Sequence, residues 1–90
     1  LNSNSFFSNN IMAELGSYDV DVVATIQLEN INKIHSELLL NKELFIEKIE
    51  DGLKAKYILK VKSFIDFNDV ESFCMALKKR ETFCSPIIPR

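Results

Sequence analysis

The clearest hydrophobic pattern in the chain lies between residues 56 and 77, where its period changes. In the first part, apolar side chains alternate with lysines, as in a half-buried β-strand. The apolar face holds Tyr57, Leu59 and Val61. Further on, apolar residues recur three and four positions apart, as on one face of an amphipathic helix. These positions are Val70, Phe73, Cys74 and Leu77. Asn68, followed by Glu71 three residues later, predicts a capping box at the start of this helix.

Similar patterns predict the remaining elements. Apolar and polar residues alternate from residue 18 to 28, which predicts a long first strand, and Asn30 is placed to cap a following helix. Asp51 and Gly52 signal a turn, and Pro86, which lacks an N–H, predicts an edge strand. The predicted strands lie near residues 19–28, 43–50, 56–64 and 82–88, and the predicted helices near 30–42 and 68–80.

This order predicts an α+β fold of the ferredoxin-like or RNP-like type, β-α-β-β-α-β. Two helices on one face of a four-stranded antiparallel sheet bury all of the amphipathic faces. The sheet order 4-1-3-2 would place the two strands with the clearest alternation of apolar and polar residues in the centre. Residues 1–17 are rich in Asn and Ser, which predicts a linker or tail, and residues 18–90 are predicted to form a single domain.

Composition and charge narrow the functional classes. The 90-residue chain has a formal net charge of −2, which disfavours a nucleic-acid partner. No apolar run reaches the roughly 20 residues of a membrane span. No catalytic constellation and no Gly-rich phosphate loop are visible, and the lone His35 is predicted to face solvent. We therefore expect a non-enzymatic domain without a cofactor or a metal site.

The two cysteines, Cys74 and Cys84, lie on the predicted second helix and the strand that follows it. These two elements must pack together, so a disulfide is geometrically possible. Two reduced, buried cysteines are an equally favoured alternative on the residues alone.

The sheet face turned away from the helices is the candidate binding surface. On the predicted central strands it would carry Thr25, Gln27, Glu29, Ile58, Lys60 and Lys62. Amides and lysines can form hydrogen bonds with sugar hydroxyls and N-acetyl carbonyls. An ordinary solvated sheet face is the alternative interpretation. The predicted central strands lack the aromatic rings with which an RNA-binding sheet stacks bases.

The two halves of the chain resemble the two half-repeats of a SPOR domain, the bacterial module that binds peptidoglycan at division septa. In the second half, Tyr57, Leu59, Val61 and Phe64 occupy the apolar motif positions, and in the first half Ile26, Gln27 and Leu28 match Val-Gln-Val. The resemblance covers about residues 18–88. It implies the same architecture, an oxidised pair of cysteines, and binding of glycan strands stripped of stem peptides through Gln27 and Lys60.

The same resemblance implies an exported bacterial protein, periplasmic or associated with the outer membrane. The chain begins at Leu1 rather than Met, so we expect it to be part of a longer protein that carries an attached wall enzyme. A ferredoxin-like protein–protein interaction module is the principal alternative, and a small-molecule regulatory domain of the ACT type is a third. Glycan affinity separates the first hypothesis from the other two.

Overall fold

The computed structural model describes residues 10–88 and confirms the β-α-β-β-α-β fold. The four strands are β1 (Met12–Tyr18), β2 (Glu43–Asp51), β3 (Lys54–Lys62) and β4 (Ser85–Ile87). The two helices are α1 (Asp21–Ile34) and α2 (Phe67–Lys79). The strands form one antiparallel sheet in the order β2-β3-β1-β4. This is the predicted order, with the short, Pro86-bearing strand at an edge.

The predicted positions of the first strand and the first helix were wrong. All of β1 except Tyr18 lies in the stretch that was assigned to a linker, and α1 occupies most of the segment that was predicted to be a strand. Residues 12–17 therefore belong to the folded domain, whereas residues 1–9 of the predicted linker lie outside the described residues. Asn30, the predicted cap, lies inside α1, and Val20 occupies the N-cap position without a side-chain hydrogen bond.

Packing explains why the helix α1 forms in a segment whose apolar and polar residues alternate as they do in a strand. Ala24, Leu28 and Ile31 are spaced four and three residues apart, so in a helix they share one face, which the structure turns toward the interior. Val22 and Ile26 remain 60% and 50% exposed. The β-branched residues of this segment favour a strand locally, and the tertiary packing of one helical face overrides that preference.

The strand β1 is irregular, and for this reason the sequence pattern did not predict it. Its pairing with β3 shifts between Glu14 and Gly16, as in a β-bulge. Ala13 and Leu15 are buried on the core side. A Cβ atom on Gly16 would lie 2.5 Å from the Tyr18 hydroxyl oxygen, so only glycine leaves room for the Tyr18 ring over the strand. The bulge interrupts the alternation from which a strand is predicted.

The N-cap of the helix α2 lies two residues before the predicted cap, Asn68, which is inside the helix. Asp66 is the N-cap, and its carboxylate accepts a hydrogen bond of 2.9 Å from the Asp69 N–H. Asp69 in turn accepts from the Ile65 N–H and from Lys42, each at 2.9 Å. Burial raises the pKa of Asp69, but the backbone hydrogen bond from Ile65 and the hydrogen bond and charge of Lys42 outweigh it, so this pKa lies below its ordinary value.

The core lies between the sheet and the two helices, as the second half of the sequence predicted. Leu59 and Val61 of β3 and Leu77 of α2 are fully buried, and Phe73 is nearly so. The rings of Phe64 and Phe73 meet edge to face with their centroids 5.2 Å apart. The structure therefore confirms the predicted buried face of the strand β3 and of the helix α2.

His35 is buried rather than exposed, which corrects the prediction. Its Nδ1 atom lies 3.1 Å from an Arg80 guanidinium nitrogen, and its Nε2 atom lies 3.3 Å from the Thr82 hydroxyl. Because guanidinium can only donate, Nδ1 accepts and Nε2 carries the imidazole proton. Arg80 also donates to Glu37 at 2.7 Å. This polar cluster joins the end of α1 to the end of α2.

Candidate functional site

The candidate site is the open face, defined here as the sheet surface opposite the two helices. Directly paired residues of an antiparallel sheet point to the same side, so the buried Leu59 and Val61 fix which β3 residues point away from the core. The open face carries Met12, Glu14 and Ser17 of β1; Glu43, Phe45, Glu47, Ile49 and Asp51 of β2; Lys54, Lys56, Ile58, Lys60 and Lys62 of β3; and Ser85 and Ile87 of β4.

Three of the six predicted ligand-binding residues lie on this face. Ile58, Lys60 and Lys62 alternate with the buried positions of β3 and occupy the centre of the open face. The other three, Thr25, Gln27 and Glu29, were placed on a central strand, and this placement was wrong because they lie on α1 in the opposite layer. The Thr25 hydroxyl donates to the Asp21 carbonyl oxygen within the helix.

The structure adds residues that the sequence analysis missed. Phe45 of β2 lies directly beside Lys60, with Glu14 of β1 on the other side of the same lysine. The Lys62 ammonium nitrogen lies 5.3 Å from the centroid of the Phe45 ring, within cation–π range. The facing of β2 was ambiguous in the sequence because Leu44 and Phe45 are both apolar. Only the register with β3 decides that Phe45 faces outward.

Three lysines of the open face form ion pairs with carboxylates. Lys60 forms an ion pair with Glu47, and its side chain is only 16% exposed. Lys62 pairs with Glu43 at 3.7 Å, and Lys56 pairs with Asp19 at 3.3 Å. The surface therefore combines fixed hydrogen-bonding groups with the apolar side chains of Phe45 and Ile58. It can bind a flat, hydroxyl-rich ligand by hydrogen bonds and ring contacts.

The two cysteines are joined, which confirms the predicted disulfide. The Sγ atoms of Cys74 and Cys84 are 2.05 Å apart, and both residues are buried on the core side of the sheet. The bond connects the last turns of α2 to the residue before β4. It lies in the layer opposite the open face, so it supports the edge of the sheet without contributing to the candidate site.

Neither metal ligation nor a membrane helix is found in the described part of the chain. Residues 10–88 contain no group of three or more His, Cys, Asp or Glu side chains placed to hold a metal ion. No helix within the same range is long and apolar enough to cross a bilayer.

The described architecture defines a class: a two-layer α+β domain with one uncovered, mainly polar sheet face. Neither a protein-family model nor a curated protein sequence matches the chain. Among solved structures, it is similar to the peptidoglycan-binding domain of the Bacillus subtilis cell wall lytic enzyme CwlC, solved in solution. The TM-score is 0.64, the sequence identity is 12%, and the match covers 89% of each chain. At this identity the likeness establishes the shared fold.

Proposed function

We propose that this domain is a non-catalytic module that binds peptidoglycan through its open face. The observation that carries the proposal is the shared fold with a peptidoglycan-binding domain over 89% of both chains. The match therefore covers most of the chain rather than a single supersecondary element. Because one fold can host several functions, the chemistry of this face must support the proposal independently.

The chemistry of the open face suits a glycan. Lys60 and Ser17 supply donors, Glu14 and Glu47 supply acceptors, and Phe45 offers an apolar ring beside them. Sugars present hydroxyl groups at their edges and C–H groups on their faces, so such a mixture matches both. The more specific ligand that we propose is a glycan strand stripped of its stem peptides, which can lie flat across the strands.

The setting that we propose is the bacterial envelope, with the domain attached to a wall protein that it recruits to the division septum. The disulfide between Cys74 and Cys84 supports this setting, because such bonds persist in oxidising compartments such as the periplasm. A periplasmic or outer-membrane-associated location follows from the same proposal. A fluorescent fusion exported to the periplasm tests the septal part, and a uniform envelope signal would contradict it.

The direct test is retention of the purified domain on peptidoglycan sacculi. We expect retention on amidase-treated sacculi and weaker retention on untreated sacculi. Phe45→Ala and Lys60→Ala should each weaken retention about fivefold, the effect of losing one net contact of about 1 kcal/mol. Gln27→Ala is the matched control, since Gln27 lies on α1 and its loss should leave retention unchanged.

Each variant must keep the circular dichroism spectrum and melting temperature of the parent domain to be informative. If the parent domain is not retained on treated sacculi, the glycan proposal is refuted. If Gln27→Ala weakens retention as much as Lys60→Ala does, the open face is the wrong surface.

A protein–protein interaction module is the second candidate, and the strand β2 favours it. This strand is nine residues long and lies at an edge of the sheet, where its outer backbone groups can pair with an added strand. Binding of a partner protein together with no retention on sacculi would favour this alternative.

A further inference from the structure

A row of four lysines runs along the open face on β3. Lys54, Lys56, Lys60 and Lys62 share this face, with Ile58 in the middle of the row. At about 3.4 Å per residue, the row extends over about 27 Å. An unopposed stripe of this kind would attract polyanions such as polyphosphate or nucleic acid, because several phosphates could be neutralised at once.

The neighbouring elements oppose this row with carboxylates. Glu47 and Glu43 reach Lys60 and Lys62 from β2, and Asp19 reaches Lys56 from the segment after β1. The strand register adds Glu14 beside Lys60 and Asp51 beside Lys54. The carboxylates therefore come from both sides of β3, and each lysine of the row has an acidic residue paired or in register with it.

The placement of a carboxylate near each lysine of the row does not follow from the overall composition. With a net charge of −2, the chain could carry its acidic residues anywhere on its surface. Lys60 is the most withdrawn of the paired lysines on this face, with 16% of its side chain exposed, and its partner Glu47 is 45% exposed. A polyanion could bind this lysine only by displacing Glu47 and by approaching Glu14. An uncharged sugar meets no such repulsion.

We propose that Glu43 and Glu47 are specificity-determining residues that exclude polyanions from the open face. The inference rests on the proposed function only in treating this face as the ligand surface. The two carboxylates act by cancelling the field of Lys60 and Lys62, so that hydrogen-bonding, hydroxyl-rich chains are accepted and phosphate-bearing polymers are rejected. Exclusion of this kind would matter in any environment that contains anionic polymers.

The test is a gain of function on a defined polyanion. The double variant Glu43→Gln/Glu47→Gln removes two negative charges and keeps the size and one acceptor oxygen of each side chain. We expect it to bind linear polyphosphate at least tenfold more tightly than the parent domain at low salt. Because the gain is electrostatic, it should disappear as the salt concentration rises.

The matched control is Glu29→Gln/Glu71→Gln, which makes the same change in net charge on the exposed surfaces of α1 and α2. We expect this control to bind polyphosphate no better than the parent domain. Equal gains in the two double variants would overturn the proposal, because overall charge would then explain the effect. A parent domain that already binds as tightly as the open-face variant would also overturn it.

Folding and glycan binding are each measured in an assay separate from polyphosphate binding. If the double variant is unfolded by circular dichroism, the single variant Glu43→Gln, whose carboxylate side chain is 61% exposed, replaces it and should show a smaller gain. The absence of any gain in this folded variant would refute the proposal. Retention on treated sacculi tests the proposed glycan function in a separate assay, so the failure of one inference is distinguishable from the failure of the other.

Discussion

The disulfide between Cys74 and Cys84 should account for a large part of the stability of this domain. It closes a loop with a sequence separation of 10 and joins the second half of α2 to the residue before β4. Since β4 has only three residues and pairs with β1 alone, few other contacts hold it. In the chain-entropy model, a loop of this length contributes about 2.7 kcal/mol at 25 °C by restricting the unfolded chain.

This contribution is large compared with the roughly 5–15 kcal/mol that stabilises a typical small domain. Reduction should lower the melting temperature by roughly 10–20 °C. The assay is urea unfolding of the same protein with and without a phosphine reductant, followed by circular dichroism, with thiol alkylation to confirm complete reduction. The reduced unfolded chain is also less restricted, so the slope of the unfolding free energy against urea should increase.

The matched control is the double variant Cys74→Ala/Cys84→Ala, whose unfolding should not respond to the reductant. A fully reduced parent protein that unfolds at the same urea concentration as the oxidised protein would refute the reasoning. It would show that the packing of β4 against β1 and α2 holds this edge of the sheet without the covalent bond.

Three further predictions concern the core, the cap and the buried histidine. Phe73→Ala should lower the unfolding free energy by about 3–5 kcal/mol, whereas Phe83→Ala, at a side chain that is 60% exposed, should change it by less than about 0.5 kcal/mol in the same urea titration. The lowered pKa of Asp69 contributes stability that is present above about pH 4 and is lost as the pH falls through the native pKa. Thermal melts at decreasing pH should show this loss, and Asp69→Asn should flatten it; an unchanged acid profile in the variant would contradict the assignment. His35→Ala should cost about 1–3 kcal/mol, because two part-buried hydrogen bonds to Arg80 and Thr82, just after α2, are lost, and a change below about 0.5 kcal/mol would show that water replaces them.

The second half of the fold could be predicted from the sequence because local pattern and tertiary packing agree there. The alternation at Tyr57, Leu59 and Val61 and the helical spacing of Phe73 and Leu77 each leave only one face to bury. The positions of Cys74 and Cys84 follow from the same two elements. Packing of α2 against the following strand made their pairing possible, and the resemblance to a SPOR domain favoured it over two reduced cysteines.

The first half could not be predicted, since local pattern and tertiary packing disagree there. The stretch from Val20 to Leu28 alternates like a strand, yet Ala24, Leu28 and Ile31 also form a helical face, and only the core selects between the two. The true first strand has a bulge at Glu14 to Gly16, which breaks the period that would reveal it.

The candidate site divides in the same way. Ile58, Lys60 and Lys62 lie on the open face, as predicted, because only one face of β3 is apolar enough to be buried, whereas Gln27 was misplaced together with its segment. Their role in ligand binding stays a prediction. Only the register of β2 against β3 places Phe45 and Glu47 on the open face. A sequence determines which residues one strand presents to each face. The pairing of strands that are distant in sequence determines which side chains meet, and that pairing is set by the burial of the whole core.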